Sequence, residues 1–410
     1  MIDRGWRPPE NETAHSQAAR VVDGAIGRPY QQRMPIMSFD TIITGGTVVN
    51  ADASEKADVA IQGEKIVKVG KNLAKTQAGD ARIIDAKGCY VIPGAIDVHV
   101  HLALPFCGTT SSDDYNSGTR AAARGGVTTV IDFAIPYGDD SLEDAYKKWR
   151  AKADPKTCID YCFHMAITKW DRHGPEMEKM VEMGCPTFKE FMIYESEGWQ
   201  SDDAMLYATL ESVARHDAML LLHAESSRVL DLFIERGHTP AKMKRHGARL
   251  HAMTRPNIVE AEAIERAIRW CEATGGTLYI VHMSTGEGAD LVKAAQSRGV
   301  PVIAETCAQY LVLDDSVFAG KDGHLFACCP QVKKPADVAR LWTALEQGRE
   351  VSVVSTDTCS FTRKQKAMWN GDFTKIPMGL PGLDTMMPIV YTLGVLEGRI
   401  TMNRLVELCS

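Results

Sequence analysis

The chain has 410 residues, 45% hydrophobic and 24% charged, which is enough to bury a sizeable core and too apolar for global disorder. Its formal net charge of -7, from 46 Lys and Arg against 53 Asp and Glu, argues against a nucleic-acid partner met through a basic face. No apolar run reaches the roughly 18 residues that span a bilayer. The eleven scattered cysteines contain no CxxC pair and suit free thiols in a reducing cytoplasm.

Residues 1–36 are polar and punctuated by proline, without the apolar stretch of a secretory signal, and are expected to form a disordered extension. Residues 37–92 read as short strands (FDTIITGG, GTVVN, ADVAIQG, KIVKVG, RIIDAK) broken by Gly or Asn, the portion of a small β-sandwich. The texture changes at Tyr90, and the barrel domain placed at residues 93–400 is built on eight apolar runs, each ending in polar or ionisable residues: YVIPGAIDVHVH, GVTTVIDF, IDYCFHMAI, TFKEFMIY, AMLLLHAE, TLYIVHMS, PVIAETC and VSVVSTDT. Helical patterns fill gaps between them, as at 139–153, 202–215 and 256–274. Parallel strands need crossover connections, so the alternation predicts an α/β fold, a (β/α)8 TIM-like barrel flanked by the small sandwich. A doubly wound open sheet is the alternative, but the first strand lacks the Gly-rich turn that fold wants. Residues 401–410 read as a helix after the barrel.

Catalytic groups of a barrel come from the C-terminal ends of its strands. His99, His101, Lys189, His223, His282 and Asp357 fall at such ends. His99 and His101 lie two apart on a strand and project to the same side. His223 and His282 each close an apolar strand; singly each reads as a core histidine, but with the HxH pair they suit a shared metal. Lys189 sits in an apolar strand between phenylalanines, where a lone ammonium is costly. It either pairs with Glu190 or reaches outward, or it takes up CO2 as a carbamate whose two oxygens bridge two cations. Asp357 can bind a metal and accept a proton from metal-bound water. His164 ends a strand and is a candidate to support a ligand, whereas His173, His216, His238, His246, His251 and His324 lie in loop or helix patterns and are expected not to be ligands.

GAIDVHVH, the lysine of FKEFMIY, HAES, IVHMST and STD together resemble the ligand order of the amidohydrolase superfamily. SSDDYNSGTRAAARGGVTTVIDF, PTFKEFMIYES, TRPNIVEAEAIERA, IAETCAQYL and GLPGLD are similar to its dihydropyrimidinase/D-hydantoinase branch, from about residue 39 to the end. The resemblance implies two divalent metals, usually zinc: His99 and His101 on one, His223 and His282 on the other, carboxylated Lys189 bridging both, and Asp357 as ligand and general base. It implies that Tyr194 hydrogen-bonds the substrate carbonyl and its oxyanion, and that Cys329 and Met378 stand where main-chain groups contact the substrate ring. The implied reaction is hydrolysis of a cyclic amide or ureide C–N bond by a metal-bridging hydroxide, in a cytoplasmic homo-oligomer, usually a tetramer.

The chain departs from the branch at several points. Thr358 and Ser360 replace His and Pro after the STD motif, Cys329 replaces a serine, and Met378 replaces an Asn before its Gly. These changes put the substrate in doubt rather than the chemistry. Family members also continue into further sandwich strands, so this sequence is expected to be truncated before them. The alternatives are an allantoinase- or dihydroorotase-like enzyme and a non-catalytic scaffold of the same fold.

Overall fold

The computed structural model describes residues 39–410, so the expectation for residues 1–36 lies outside the described part. Seven short strands come first: β1 Thr41–Thr44, β2 Thr47–Val49, β3 Ser54–Lys56, β4 Asp58–Gln62, β5 Lys65–Gly70, β6 Arg82–Asp85 and β7 Tyr90–Val91. They form two sheets, ordered β5-β4-β1-β6 and β3-β2-β7. Strand alternation divides the larger sheet's side chains between its faces. Ile43, Val59 and Ile61 meet Val48 and Val91 of the smaller sheet, while Ile42 and Ala60 pack with Phe39 and Leu73 on the other side.

The barrel strands follow. They are β8 Ala95–Val100, then β11 Val127–Ala134, β12 Asp160–Ala166, β13 Thr187–Phe191, β14 Met219–His223, β15 Thr277–Ile280, β16 Val302–Cys307 and β17 Val353–Ser355, with a small hairpin, β9 Pro105–Phe106 and β10 Thr109–Thr110, after the first. All eight are parallel and adjacent in chain order. A parallel bridge between Val100 and Thr358 joins the last unit to the first, with the His101 amide donating to the Thr358 carbonyl at 2.8 Å. The sheet therefore closes, and the open doubly wound alternative falls.

Local chemistry sets the helix ends. The helix expected over 139–153 runs Leu142–Ala153, because Ser141 accepts from the Asp144 amide and caps it. The second runs Asp203–His216 behind an Asp202 cap. The third, Asn257–Thr274, follows Pro256 and stops at Gly275, whose φ of 72° suits a residue without Cβ. The last ten residues hold a helix, Met402–Cys409.

Candidate metal centre and active site

Five barrel strands deliver the candidate residues to one mouth. His101, Lys189, Tyr194, His223, His282, Cys329, Asp357 and Met378 line a single 30 Å³ pocket. His99 lies just beneath, with its ring centroid 5.2 Å from those of His101 and His282, and the His223 and His282 centroids are 4.5 Å apart. Asp357 Oδ1 is 3.3 Å from His99 Nε2 and 3.4 Å from His101 Nε2, and ligand atoms of these three residues lie within 4.8 Å of one another. Tyr194, His282 and Asp357 have φ of 75°, 38° and 49°, left-handed backbone that non-glycine residues rarely adopt. All three sit just past a strand end, where such strain is commonly tolerated to aim a working side chain.

Lys189 is fully buried, and its Nζ has no hydrogen-bond partner. It points to the barrel interior, 5.2 Å from the Phe133 ring centre and 4.9 Å from that of Phe191. Glu190, one residue on, faces the helices and accepts from Thr209, so the expected alternatives of a Lys189–Glu190 pair or an outward lysine are not realised. Burial pulls the Lys189 pKa down, against the raising effect of Asp357 and Glu305. Burial likewise lowers the pKa of His99, His223 and His282, keeping the imidazoles neutral, the form that binds metal.

The donor set fits divalent cations. His99 Nε2, His101 Nδ1, His282 Nδ1 and Lys189 Nζ are all buried without a hydrogen-bond partner, and buried polar atoms in a folded protein are rarely left so. Carboxylates orient two of the imidazoles from behind. Glu305 Oε1 holds His99 Nδ1 at 2.6 Å, and Glu225 Oε2 holds His223 Nε2 at 2.8 Å. This leaves His99 Nε2 and His223 Nδ1 for the interior, the arrangement by which outer carboxylates fix metal-binding histidines. Glu305 also accepts from the His282 amide at 2.9 Å and from the Tyr279 hydroxyl at 2.8 Å. Sequence reasoning missed Glu305 and Glu225 as supports. The available signal was a carboxylate within or just after an apolar strand, the same oddity that exposed Lys189.

His164 is engaged at both nitrogens, by Thr187 Oγ1 at 2.7 Å and the Val98 carbonyl at 3.0 Å, and burial lowers its pKa to about 4. It supports strand packing and touches no candidate ligand by hydrogen bond. Thr358 closes the barrel through its main chain, with its hydroxyl buried and unpartnered. Cys329 uses its side chain as well as its position: Sγ donates to Glu225 Oε2 at 3.0 Å and faces the Tyr194 hydroxyl. Met378 Sδ accepts from Arg255 at 3.7 Å. Phe106 and Trp199 stack at 5.6 Å, and with Leu104 and Phe191 they make one wall of the pocket apolar.

The amidohydrolase family model matches residues 90–368, and the chain belongs to this family, whose members are metal-dependent. Within it the chain falls in the D-hydantoinase/dihydropyrimidinase branch and is a cyclic amidohydrolase. It is 40% identical over 378 residues to the D-hydantoinase of Geobacillus stearothermophilus, covering 90% of this chain and 78% of the relative. It is 37% identical to a D-phenylhydantoinase of Escherichia coli, with coverage of 90% and 79%. Among solved structures, the dihydropyrimidinase from Brevibacillus agri NCHU1002 superposes with a TM-score of 0.86 at 37% identity, over 90% of this chain and 80% of that one.

Proposed function

We propose that the protein opens the ring of a 5-substituted hydantoin, dihydropyrimidine or related cyclic imide, using two divalent cations, zinc foremost, held by six side chains. His99 and His101 would hold one, His223 and His282 the other, with Asp357 on the first and a carbamate on Lys189 between them. The observation that carries this reading is the fully buried, partnerless Lys189 Nζ amid neutral imidazoles and Asp357. Carboxylation there removes a desolvated cation and supplies the anion that two metals need. When bound, such cations lower the pKa of water and polarise the scissile carbonyl.

The chain's own residues do the rest. Tyr194, kept protonated by burial, donates its hydroxyl to the carbonyl oxygen as charge develops there. Asp357 takes the proton from the attacking water and returns it to the leaving ring nitrogen. The wall of Leu104, Phe106, Phe191 and Trp199 excludes water and faces the ring substituent, which favours apolar and aromatic groups. The departures at Cys329, Thr358 and Met378 leave these parts in place. All eleven cysteines are unpaired, which supports a reducing compartment, the cytoplasm. The homotetramer rests on the resemblance alone.

Elemental analysis together with a panel of 5-phenylhydantoin, dihydrouracil, allantoin, dihydroorotate and succinimide tests the reading. Two metals per chain and turnover of a hydantoin, dihydropyrimidine or imide are expected. A folded, metal-free protein that stays inert after zinc and bicarbonate are added would overturn it, and turnover confined to allantoin or dihydroorotate would move it to another subgroup.

A further inference from the structure

A second cavity, of 460 Å³, adjoins the active-site pocket and shares Tyr194 and Met378 with it. Ile193, Leu230 and Ile234 give it an apolar body, and Gln200, Ser196 and Ser227 add hydrogen-bonding groups. Its inner wall contains Arg255, which is only 6% exposed. No carboxylate lies within ion-pair distance of this guanidinium among the described residues. Its NH1 meets His251 Nδ1 at 3.2 Å and the His251 carbonyl at 3.5 Å, its NH2 meets the Met378 thioether at 3.7 Å, the Cys329 thiol lies beside it, and its Nε has no hydrogen-bond partner. Glu225 supports the charge electrostatically from further off, beside Cys329. Glu195 and Asp231 stand exposed at the mouth, and Asp231 is paired with Arg228 at 3.7 Å. A buried arginine without a carboxylate is costly, and its planar fork suits a two-oxygen anion.

Hydrolysis of a cyclic amide supplies such an anion. Water adds across the ring C–N bond, the carbonyl carbon becomes a carboxylate and the nitrogen gains a proton. The ring-opened product therefore carries a charge that the neutral substrate lacks, and it gains it one side chain away from Arg255. The 460 Å³ cavity has room for an acyclic molecule.

We propose that this second cavity is a product subsite that takes the carboxylate of an acyclic N-carbamoyl amino acid on Arg255. The proposal rests on the ring-opening activity for its biological ligand, but its binding chemistry can be read separately. The apolar wall carries the hydrocarbon body and Gln200 with Ser227 meets the carbamoyl group. The site discriminates product from substrate by charge, and it makes the enzyme subject to inhibition by its own product.

The test is calorimetric titration of the metal-loaded full chain with N-carbamoylphenylglycine and with its neutral carboxamide. The wild type is expected to bind the acid at least about tenfold more tightly than the amide, as a charge-assisted pair should give. Arg255→Met should bring that preference below about twofold, and Arg255→Lys, which keeps the charge but loses the planar fork, should keep only part of it. Ser227→Glu, at the half-buried cavity lining, should weaken the acid several-fold more than it weakens the amide; it decides the matter if Arg255→Met does not fold. Equal affinity of acid and amide in the wild type, a preference that survives Arg255→Met, or an acid affinity untouched by Ser227→Glu would overturn the proposal. Arg255-dependent binding of the acid in a protein that fails to open 5-phenylhydantoin would uphold the subsite and remove the proposed substrate instead.

Discussion

Lys189 shows how one residue can decide a function. Its Nζ lies among aromatic rings and imidazoles with no hydrogen-bond partner. Lys189→Ala should reduce the metal content from two per chain to one or none, measured by elemental analysis, and a short carboxylic acid in the medium should restore part of the activity. Full activity without additive would contradict the carbamate. Asp357→Asn should keep the fold and at least one metal while lowering kcat about 10²–10⁴-fold, the usual weight of a proton-transfer group. Tyr194→Phe should lower kcat roughly 10²-fold with a smaller change in KM, because its hydroxyl acts on charge that develops in the transition state. Lys189 and Asp357 were visible in the sequence, since an ionisable group within or at the end of an apolar run is a local anomaly, whereas Tyr194 was marked by the family resemblance alone. The supports were not, because Glu305 reaches His99 across 206 positions of chain, and no local pattern records that.

At the scale of the element, strand ends do the work. Apolar runs legible in the sequence became β8 and β11 to β17, and their ionisable ends met at one mouth. What could not be read was where each strand stops. TFKEFMIY looks like one strand, yet β13 ends at Phe191 and the chain turns into left-handed backbone at Tyr194. That turn swings Tyr194 toward Cys329 and His223, where it packs against Trp199 five residues on and against Phe106 from a distant part of the chain. β16 has a second task, since Glu305 on it fixes His99 of β8 and the amide of His282 after β15. Glu305→Gln should therefore weaken metal binding about 10–100-fold, followed by competition with a chromophoric chelator, while secondary structure is kept. Unchanged affinity would show that His99 is oriented by packing alone.

Over the whole molecule, closure of the barrel is the feature on which the site depends. Asp97 is fully buried and accepts from the His99 amide at 3.2 Å, the Thr356 amide at 3.1 Å and the Thr356 hydroxyl at 2.6 Å, tying the first strand to the segment after the last. Sequence alone foretold eight units and their parallel order, because alternation of strand and helix admits few topologies. It could not foretell this seam, which joins residues 259 positions apart. Asp97→Ala would leave three buried donors unpaired and should cost roughly 3 kcal/mol or more. The measurable result is a melting temperature lowered by several degrees together with weaker metal retention, since His101 and Asp357 flank the seam. An unchanged melting temperature would place closure in the apolar core instead.

The most direct measurement is an experimental density map of the metal-loaded protein at the Lys189 side chain. The account predicts a carbamate on Nζ, one oxygen on each of two cations, with His99, His101 and Asp357 around one and His223 and His282 around the other. An unmodified amine at Lys189, with the histidines holding no cation, would contradict it.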